Sequence, residues 1–403
     1  RRKKARQAIA QAIPLARLYD VVIANPPYMG SKNQNATLKK FLGDNYADVK
    51  ADLFSAFTVR IMEMTRKVGF IGMMTPFVWM FLSSYEKMRQ YLLDNATLTS
   101  LIRPEYHAFF DSAFVPICGF TLHNESQPEF KGAFIDLQEF YGTDVQPVKA
   151  LEAIQNPDCG YFYRAAATDF KKIPGSPIAY SVTNRVKNIF DSNPLIENFA
   201  FPKQGSTIGN NDRFLRMWYE IGFPFNPKWK KTVKGGEFRK WFGNLLYVVN
   251  WGLDGEEIRD TGRATIRNSD FLFQPGLEWS RITSSSTSFR ILQEDFFHES
   301  ASGVAFPNRE NRLDILGLLN TKISRYLLAT LNPTLTSQSG DIARIPYVAT
   351  NEQAIVKNLI KFARNDWDSY ETSWDFTALP VLQAHQPDAP LAATYTTLRQ
   401  QWQ

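Results

Sequence analysis

The chain has 403 residues, 44% hydrophobic and 21% charged, enough apolar material for packed domains and too much for global disorder. A net charge of +6 leans towards a polyanionic partner without naming one, and no apolar run reaches the ~20 residues of a membrane span. The two cysteines, Cys118 and Cys159, give no disulfide framework. With His107, His123, His298 and His385 scattered, no metal-ligand spacing exists, and the expected compartment is the cytoplasm.

Taken from the start, a basic Arg1–Arg6 leads into a short Ala/Ile/Leu helix pattern rather than a signal peptide. The chain has no initiating Met, and the expectation is that it begins inside a longer product. Tyr19 to Ala24 reads as a β-branched, buried strand ending in Asn-Pro-Pro. Asp52 to Arg66 reads as an amphipathic helix with Leu53, Phe57, Ile61 and Met64 on one face. Gly69 to Met74 is a second strand, Ser83 to Leu93 a helix, Leu98 to Ile102 a third strand and Ala113 to His123 a fourth. Strands separated by helices imply right-handed crossovers, a largely parallel sheet and an α/β class, with ligands at the carboxyl ends of strands. Pro174-Gly-Ser-Pro177 is a turn that introduces a helix over Ser181 to Phe190. Beyond Phe201 the text turns aromatic, Gly-rich and basic. Short strands are expected at Leu246–Trp251 and Phe271–Phe273, and helices over Asp314–Thr330 and Glu352–Arg364.

The strongest chemical signal is Asn25-Pro26-Pro27-Tyr28 directly after a hydrophobic strand. An adenine amino group is a poor nucleophile because its lone pair is delocalised into the ring. Two acceptors aimed at its N–H bonds pull the nitrogen towards tetrahedral geometry. The Asn25 side-chain oxygen can be one acceptor and the Pro26 carbonyl the other. Pro27 holds Pro26 extended, so that carbonyl points in one direction. Tyr28 offers a flat face to a base taken out of the duplex. The alternative is a rigid proline turn with a packed tyrosine.

These residues carry a resemblance. Tyr19-Asp-Val-Val-Ile-Ala-Asn-Pro-Pro-Tyr28 resembles motif IV of the amino-group DNA methyltransferases, and Gly69-Phe-Ile-Gly-Met-Met-Thr-Pro76 is similar to their next strand. Phe110-Asp-Ser-Ala-Phe-Val-Pro-Ile-Cys118 resembles their motif VIII, whose aromatic packs on the other face of the flipped adenine. By position that role falls on Phe110, with Phe114 the second choice. Ile173 to Tyr180 resembles the hinge of large adenine methyltransferases, and Gly205 to Phe214 the opening of their recognition domain. With Lys234 to Trp241, Asn332 to Pro346 and Trp367 to Phe376, the set looks like gamma-type adenine-N6 DNA methyltransferases, most like the PglX family of BREX phage-defence systems.

The resemblance implies the C-terminal half of a Rossmann-like, AdoMet-dependent methyltransferase sheet, followed by a mixed α+β target recognition domain and a helical tail. The expected boundaries are a catalytic domain over 1–160, a hinge over 161–200, a recognition domain over 201–350 and a C-terminal helical segment over 351–403. The implied cofactor is S-adenosyl-L-methionine. Its Gly-rich motif I belongs upstream of motif IV and finds no place before Asn25, so the cofactor-site residues are expected upstream of this chain, and the fragment alone is expected to be inactive.

Double-stranded DNA is the implied partner. Other phage-defence proteins or an acidic DNA mimic are further candidates, and a membrane is not. Candidate DNA contacts are Arg213 and Arg216 on an expected helix, the run Lys228, Lys230, Lys231, Lys234, Arg239 and Lys240 interleaved with aromatics, and Arg281 and Arg290 flanking a Ser/Thr loop. The alternatives are a solvated surface for the run and a plain flexible loop for Ser284–Ser288. Asp158, Asp169, Lys171 and Lys172 match a carboxylate–metal nuclease only superficially. Two rival functions remain open: a DNA-binding specificity module that does not methylate, and methylation of an RNA or protein amino or amide group.

Overall fold

The computed structural model describes residues 2–109, 114, 116–222, 226–388 and 390–402. The chain divides into two compact units at 192/193, with Thr330–Asn332 grouped with the first.

The first unit runs α1 (Arg2–Ala16), β1 (Tyr19–Ala24), α2 (Ala36–Asn45), α3 (Leu53–Met64), β2 (Thr65–Pro76), α4 (Glu86–Asn95), β3 (Thr97–Arg103), β4 (Ile117–His123), β5 (Gly132–Asp136), α5 (Val145–Gln155), β6 (Phe162–Ala165), α6 (Ala167–Lys171) and α7 (Asn184–Ser192). Its sheet has the order β1-β2-β4-β3-β5-β6. β1 lies parallel to β2 and β3 to β5, but β4 is antiparallel to both β2 and β3, and β6 is antiparallel to β5. The sheet is therefore mixed, not largely parallel. The described residues between β3 and β4 hold no helix, and a chain without a helical crossover returns antiparallel.

The core of this sheet is built by Phe54, Ile71, Met73, Trp79, Leu101, Phe120 and Phe134. α3 turns Phe54 and Ile61 inward, whereas Phe57 is 40% exposed, so its buried face is rotated from the expected stripe. β1 is not a buried strand. It is an edge paired only with β2, and Val21 and Ile23 are 56% and 80% exposed.

The Pro174–Pro177 turn is tied into this unit. Arg89, fully buried on α4, donates to the carbonyls of Gly175, Trp79 and Leu82, and the backbone N–H of Ile178 donates to the Met80 carbonyl. A buried guanidinium survives because carbonyl oxygens replace its water.

The second unit runs β7 (Ala200–Gln204), α8 (Asn211–Phe214), β8 (Leu215–Met217), β9 (Trp229–Val233), β10 (Tyr247–Asn250), α9 (Gly252–Asp260), β11 (Gly276–Ser280), β12 (Phe289–Leu292), β13 (Phe296–His298), β14 (Ser302–Pro307), α10 (Arg312–Leu319), α11 (Lys322–Leu331), α12 (Ser339–Ala343), α13 (Gln353–Trp367), α14 (Pro380–Gln383) and α15 (Leu391–Trp402). Two four-stranded sheets result, β13-β9-β10-β8 and β12-β11-β14-β7. In the second, β14 passes so close to Trp279 that a Cβ on Gly303 would sit 2.1 Å from the indole ring, so only glycine fits there.

Three expectations change here. Phe271–Phe273 is a 3₁₀ turn and its exit rather than a strand, because Asn268 and Phe273 take left-handed φ of +52° and +65°. The single helix over Asp314–Thr330 is two, α10 and α11. Asn320 interrupts it by bonding the N–H and carbonyl of Phe289, and Ile323 beyond the break is 63% exposed. Arg216 lies on β8, not on a helix with Arg213. Among the described residues no helix is long and apolar enough to cross a membrane, and no cluster of His, Cys, Asp or Glu could hold a metal.

Candidate methyl-acceptor loop and nucleic-acid surface

The parallel register sets Ala24 beside Met73, so the loop after β1 emerges next to the carboxyl end of β2. Pro26 is buried, while Asn25, Pro27 and Tyr28 are exposed. The Tyr28 hydroxyl lies 3.0 Å from Asn25 Oδ1 and 3.2 Å from the Met74 carbonyl, so one proton serves two acceptors. A carboxamide oxygen has two lone pairs. The bond from Tyr28 fixes the amide and leaves the second lone pair open. Partial burial, then the neighbouring Cys118, raises the phenol pKa above its usual range, so Tyr28 keeps its proton. Its ring meets Phe54 edge-on at 6.3 Å, and 43% of the side chain faces solvent.

The far end of the loop is pinned by a residue whose role the sequence reading did not assign. Asp52, the N-cap of α3, accepts from the backbone N–H of Phe54 at 3.3 Å and also from that of Met29 at 2.9 Å. The carbonyl of Met29 takes bonds from the backbone N–H of Leu53 and from the side-chain amide of Gln34. Asp immediately before an apolar helical run is the N-cap signal that marks such a residue.

Cys118 is buried beside Thr75, and burial pushes its thiol to about 12, so it is no nucleophile. Phe110 lies outside the described residues. Phe114 is 62% exposed, its ring 4.3 Å from that of Tyr106.

The basic candidates scatter in what they are bonded to. Arg290 is a correction: it is 1% exposed, and both Nε and Nη2 lie 2.6 Å from Glu278. Its guanidinium also donates to the Arg239 carbonyl and to Ser280, and Ser302 donates to Glu278. A charge so enclosed cannot reach a phosphate. Arg239 faces Asp366 at 2.7 Å and lies over the Trp367 ring. Arg216 donates to the carbonyls of Asp212 and Leu215, Arg281 to that of Ser300, and Arg213 pairs at 3.6 Å with Glu257.

The lysine run is strand β9 and its flanks, so successive side chains alternate between faces. Lys230 sits over Phe273, whereas Lys231 sits over Phe296 and Trp374. Lys228 and Lys234 lie over Trp229 and Tyr247. The aromatics thus carry cation–π partners, and the lysines do not form one stripe. Lys240 donates to the Asn320 carbonyl at 2.6 Å.

The fold is shared with two solved restriction–modification enzymes. The Type IIL restriction–modification enzyme MmeI, solved in complex with DNA, matches 93% of this chain and 51% of its own with a TM-score of 0.52 at 13% identity. A nuclease-deletion mutant of the Type ISP enzyme LlaGI, bound to a DNA substrate mimic, matches 91% of this chain and 35% of its own at 0.53 and 10% identity. At those identities the likeness is one of fold.

Sequence carries the comparison further. Residues 4–110 match the model of the Eco57I restriction-modification methylase family. The chain is 35% identical over 93% of its length to the adenine-specific methyltransferase BrxX of Escherichia coli O9:H4 (strain HS). It is 32% identical over 96% of its length to the adenine-specific methyltransferase PglX of Lacticaseibacillus casei (strain Zhang). It spans about a third of those relatives, 32% and 34% of their lengths. The resemblance to adenine-specific methyltransferases therefore extends along nearly the whole chain.

The sequence motifs carry the expectation of S-adenosyl-L-methionine as methyl donor. Beside Asn25 the described residues leave an open sheet edge, with Ile23 80% exposed, and do not enclose such a molecule. What they present there is an exposed amide oxygen held by the Tyr28 hydroxyl.

Proposed function

We propose that this chain is the adenine-binding and DNA-recognition part of a site-specific adenine-N6 DNA methyltransferase acting in phage defence. The observation that carries this is the Asn25–Tyr28 loop, with an amide oxygen held by Tyr28 at the carboxyl end of β1. Asn25 Oδ1 and the Pro26 carbonyl accept hydrogen bonds from the two amino N–H groups of a flipped adenine, concentrating the lone pair on the nitrogen that attacks; the methylated nitrogen then releases one of those protons to solvent. The Tyr28 ring lies against the base, and Phe110 is assigned its other face. The arrangement works by preorganised acceptors and not by moving a proton at a titrating group.

In this reading residues 1–160 are the catalytic domain, half of a Rossmann-like methyltransferase sheet whose last strand, β6, extends it to Ala165. Residues 161–200 are the hinge, 201–350 the target recognition domain and 351–403 the helical tail. S-adenosyl-L-methionine, when bound, would supply an electrophilic methyl group and leave as S-adenosyl-L-homocysteine; the proposed compartment is the cytoplasm. Duplex DNA is the main partner, approached by Arg213, Arg216, Lys228, Lys230, Lys231, Lys234, Arg239, Lys240 and Arg281. Arg290 leaves the set because it is buried. An acidic DNA mimic or another defence protein would compete for the same cations.

The test is to express the full-length gene product, wild type and Asn25→Ala, in a methylation-free host and to map N6-methyladenine across its genome. One methylated motif, absent in the variant, is expected. Unmarked DNA from a soluble enzyme that binds the methyl donor would move the assignment to a non-methylating specificity module or to another substrate.

A further inference from the structure

Asn320 ends α10, and α11 begins at Lys322 with Arg325 three residues later, so both cations lie on one side of its first turn. The Asn320 carbonyl accepts from Lys240 Nζ at 2.6 Å, and Arg325 Nη1 donates to Ser286 Oγ at 3.1 Å. Lys240, Lys322 and Arg325 thus gather beside the hydroxyl loop Ser284–Ser288, although Lys240 is far from the other two in sequence. Among the described residues none of the three makes an ion pair with a carboxylate.

This grouping is unfavourable for the free protein in two ways. Like charges repel, and the Lys240 ammonium is held below its usual pKa by burial and then by Arg325 and Lys322. The first turn of α11 carries no acidic residue and opens on a cation, against the helix dipole. An arrangement that burdens the fold at an exposed place gains its purpose from an anion. Lys322 and Arg325 are both exposed, while Lys240 and Ser286 are half-buried beside them. A small anion needs enclosure to be held, whereas a row of phosphates needs spaced cations and hydroxyls, which this place has.

We infer that Lys322, Arg325 and Lys240, with Ser286, form a contact for the phosphate backbone of duplex DNA. The inference rests on the DNA-methyltransferase reading above and adds Lys322 and Arg325 to it. These groups position the duplex and carry no base preference.

The test uses the full-length gene product, K322A/R325A, and the control K357A/K361A, which removes two exposed lysines from α13. Affinity for a duplex oligonucleotide is measured between 50 and 200 mM salt, values chosen for the counterion-release range. The slope of log K against log salt is expected to fall by about 0.9 for each phosphate that is no longer neutralised, so about 1–2 in K322A/R325A, with the preferred sequence unchanged. The control keeps the wild-type slope. An unchanged slope in K322A/R325A, with wild type binding normally, overturns the site alone. A wild type that binds no duplex overturns the DNA reading and this site with it. An equal fall in slope for variant and control shows net charge at work and also overturns the site.

Discussion

The acceptor loop and the basic surface of the second unit are both polar and both exposed, yet they differ in what their groups are already bonded to. In the loop, bonds from Tyr28 and Asp52 fix the backbone and one amide while leaving acceptors open. In the second unit, Arg290, Arg239 and Arg216 spend their guanidinium groups on Glu278, Asp366 and backbone carbonyls. A run of charges is readable only after its internal partners are subtracted.

That contrast can be broken most forcefully at Glu278. If the Arg290 pair is internal architecture, Glu278→Ala strands a buried guanidinium and should lower stability by about 3–5 kcal/mol in denaturant titration. A variant as stable as wild type would return Arg290 to the pool of surface cations.

A second expectation concerns pH. Burial depresses His298 to about 4 in the folded protein, against about 6.5 unfolded. The unfolded chain takes up that proton first, so stability is full above about pH 6.5 and falls as pH drops towards 4, by at most ~3 kcal/mol. His298→Asn should flatten that part of the stability–pH curve. A slope identical to wild type would show that other groups set it.

On the loop the effects are smaller. Asp52→Ala removes both the N-cap of α3 and the anchor on Met29, costing about 1–2 kcal/mol and slowing methylation, while Asp52→Asn should restore most of the stability. Equal stability of Ala and Asn variants would remove the capping role. Smallest is Tyr28→Phe, which keeps the ring and loses the hydroxyl on Asn25. One hydrogen bond of about 0.5–1.5 kcal/mol corresponds to roughly a 2- to 13-fold slower transfer with DNA affinity unchanged. A loss of affinity instead would place Tyr28's main contribution in binding.

The strand–loop unit at 19–28 was legible because a β-branched run followed by Asn-Pro-Pro has few other uses. Its exposure was not, since Val21 and Ile23 look buried in any strand pattern and turn out to lie on an edge. The inserted β4 escaped because a hydrophobic run does not reveal its direction. The break at Asn320 was hidden for a similar reason: its bonds reach Phe289 on β12, 31 residues away in sequence. Arg290 misled because a Ser/Thr-flanked arginine reads as surface until Glu278 is seen against it.

The central claim is that Asn25 acts on the chemistry and not on holding DNA. Single-turnover methyl transfer and DNA binding should be measured side by side for the full-length wild type and Asn25→Ala. The account predicts affinity within about 2-fold, below ~0.5 kcal/mol, and methyl transfer to adenine N6 slower by on the order of 10²–10³. Wild-type transfer rates in the variant, or label on any atom other than adenine N6 in the wild type, would contradict it.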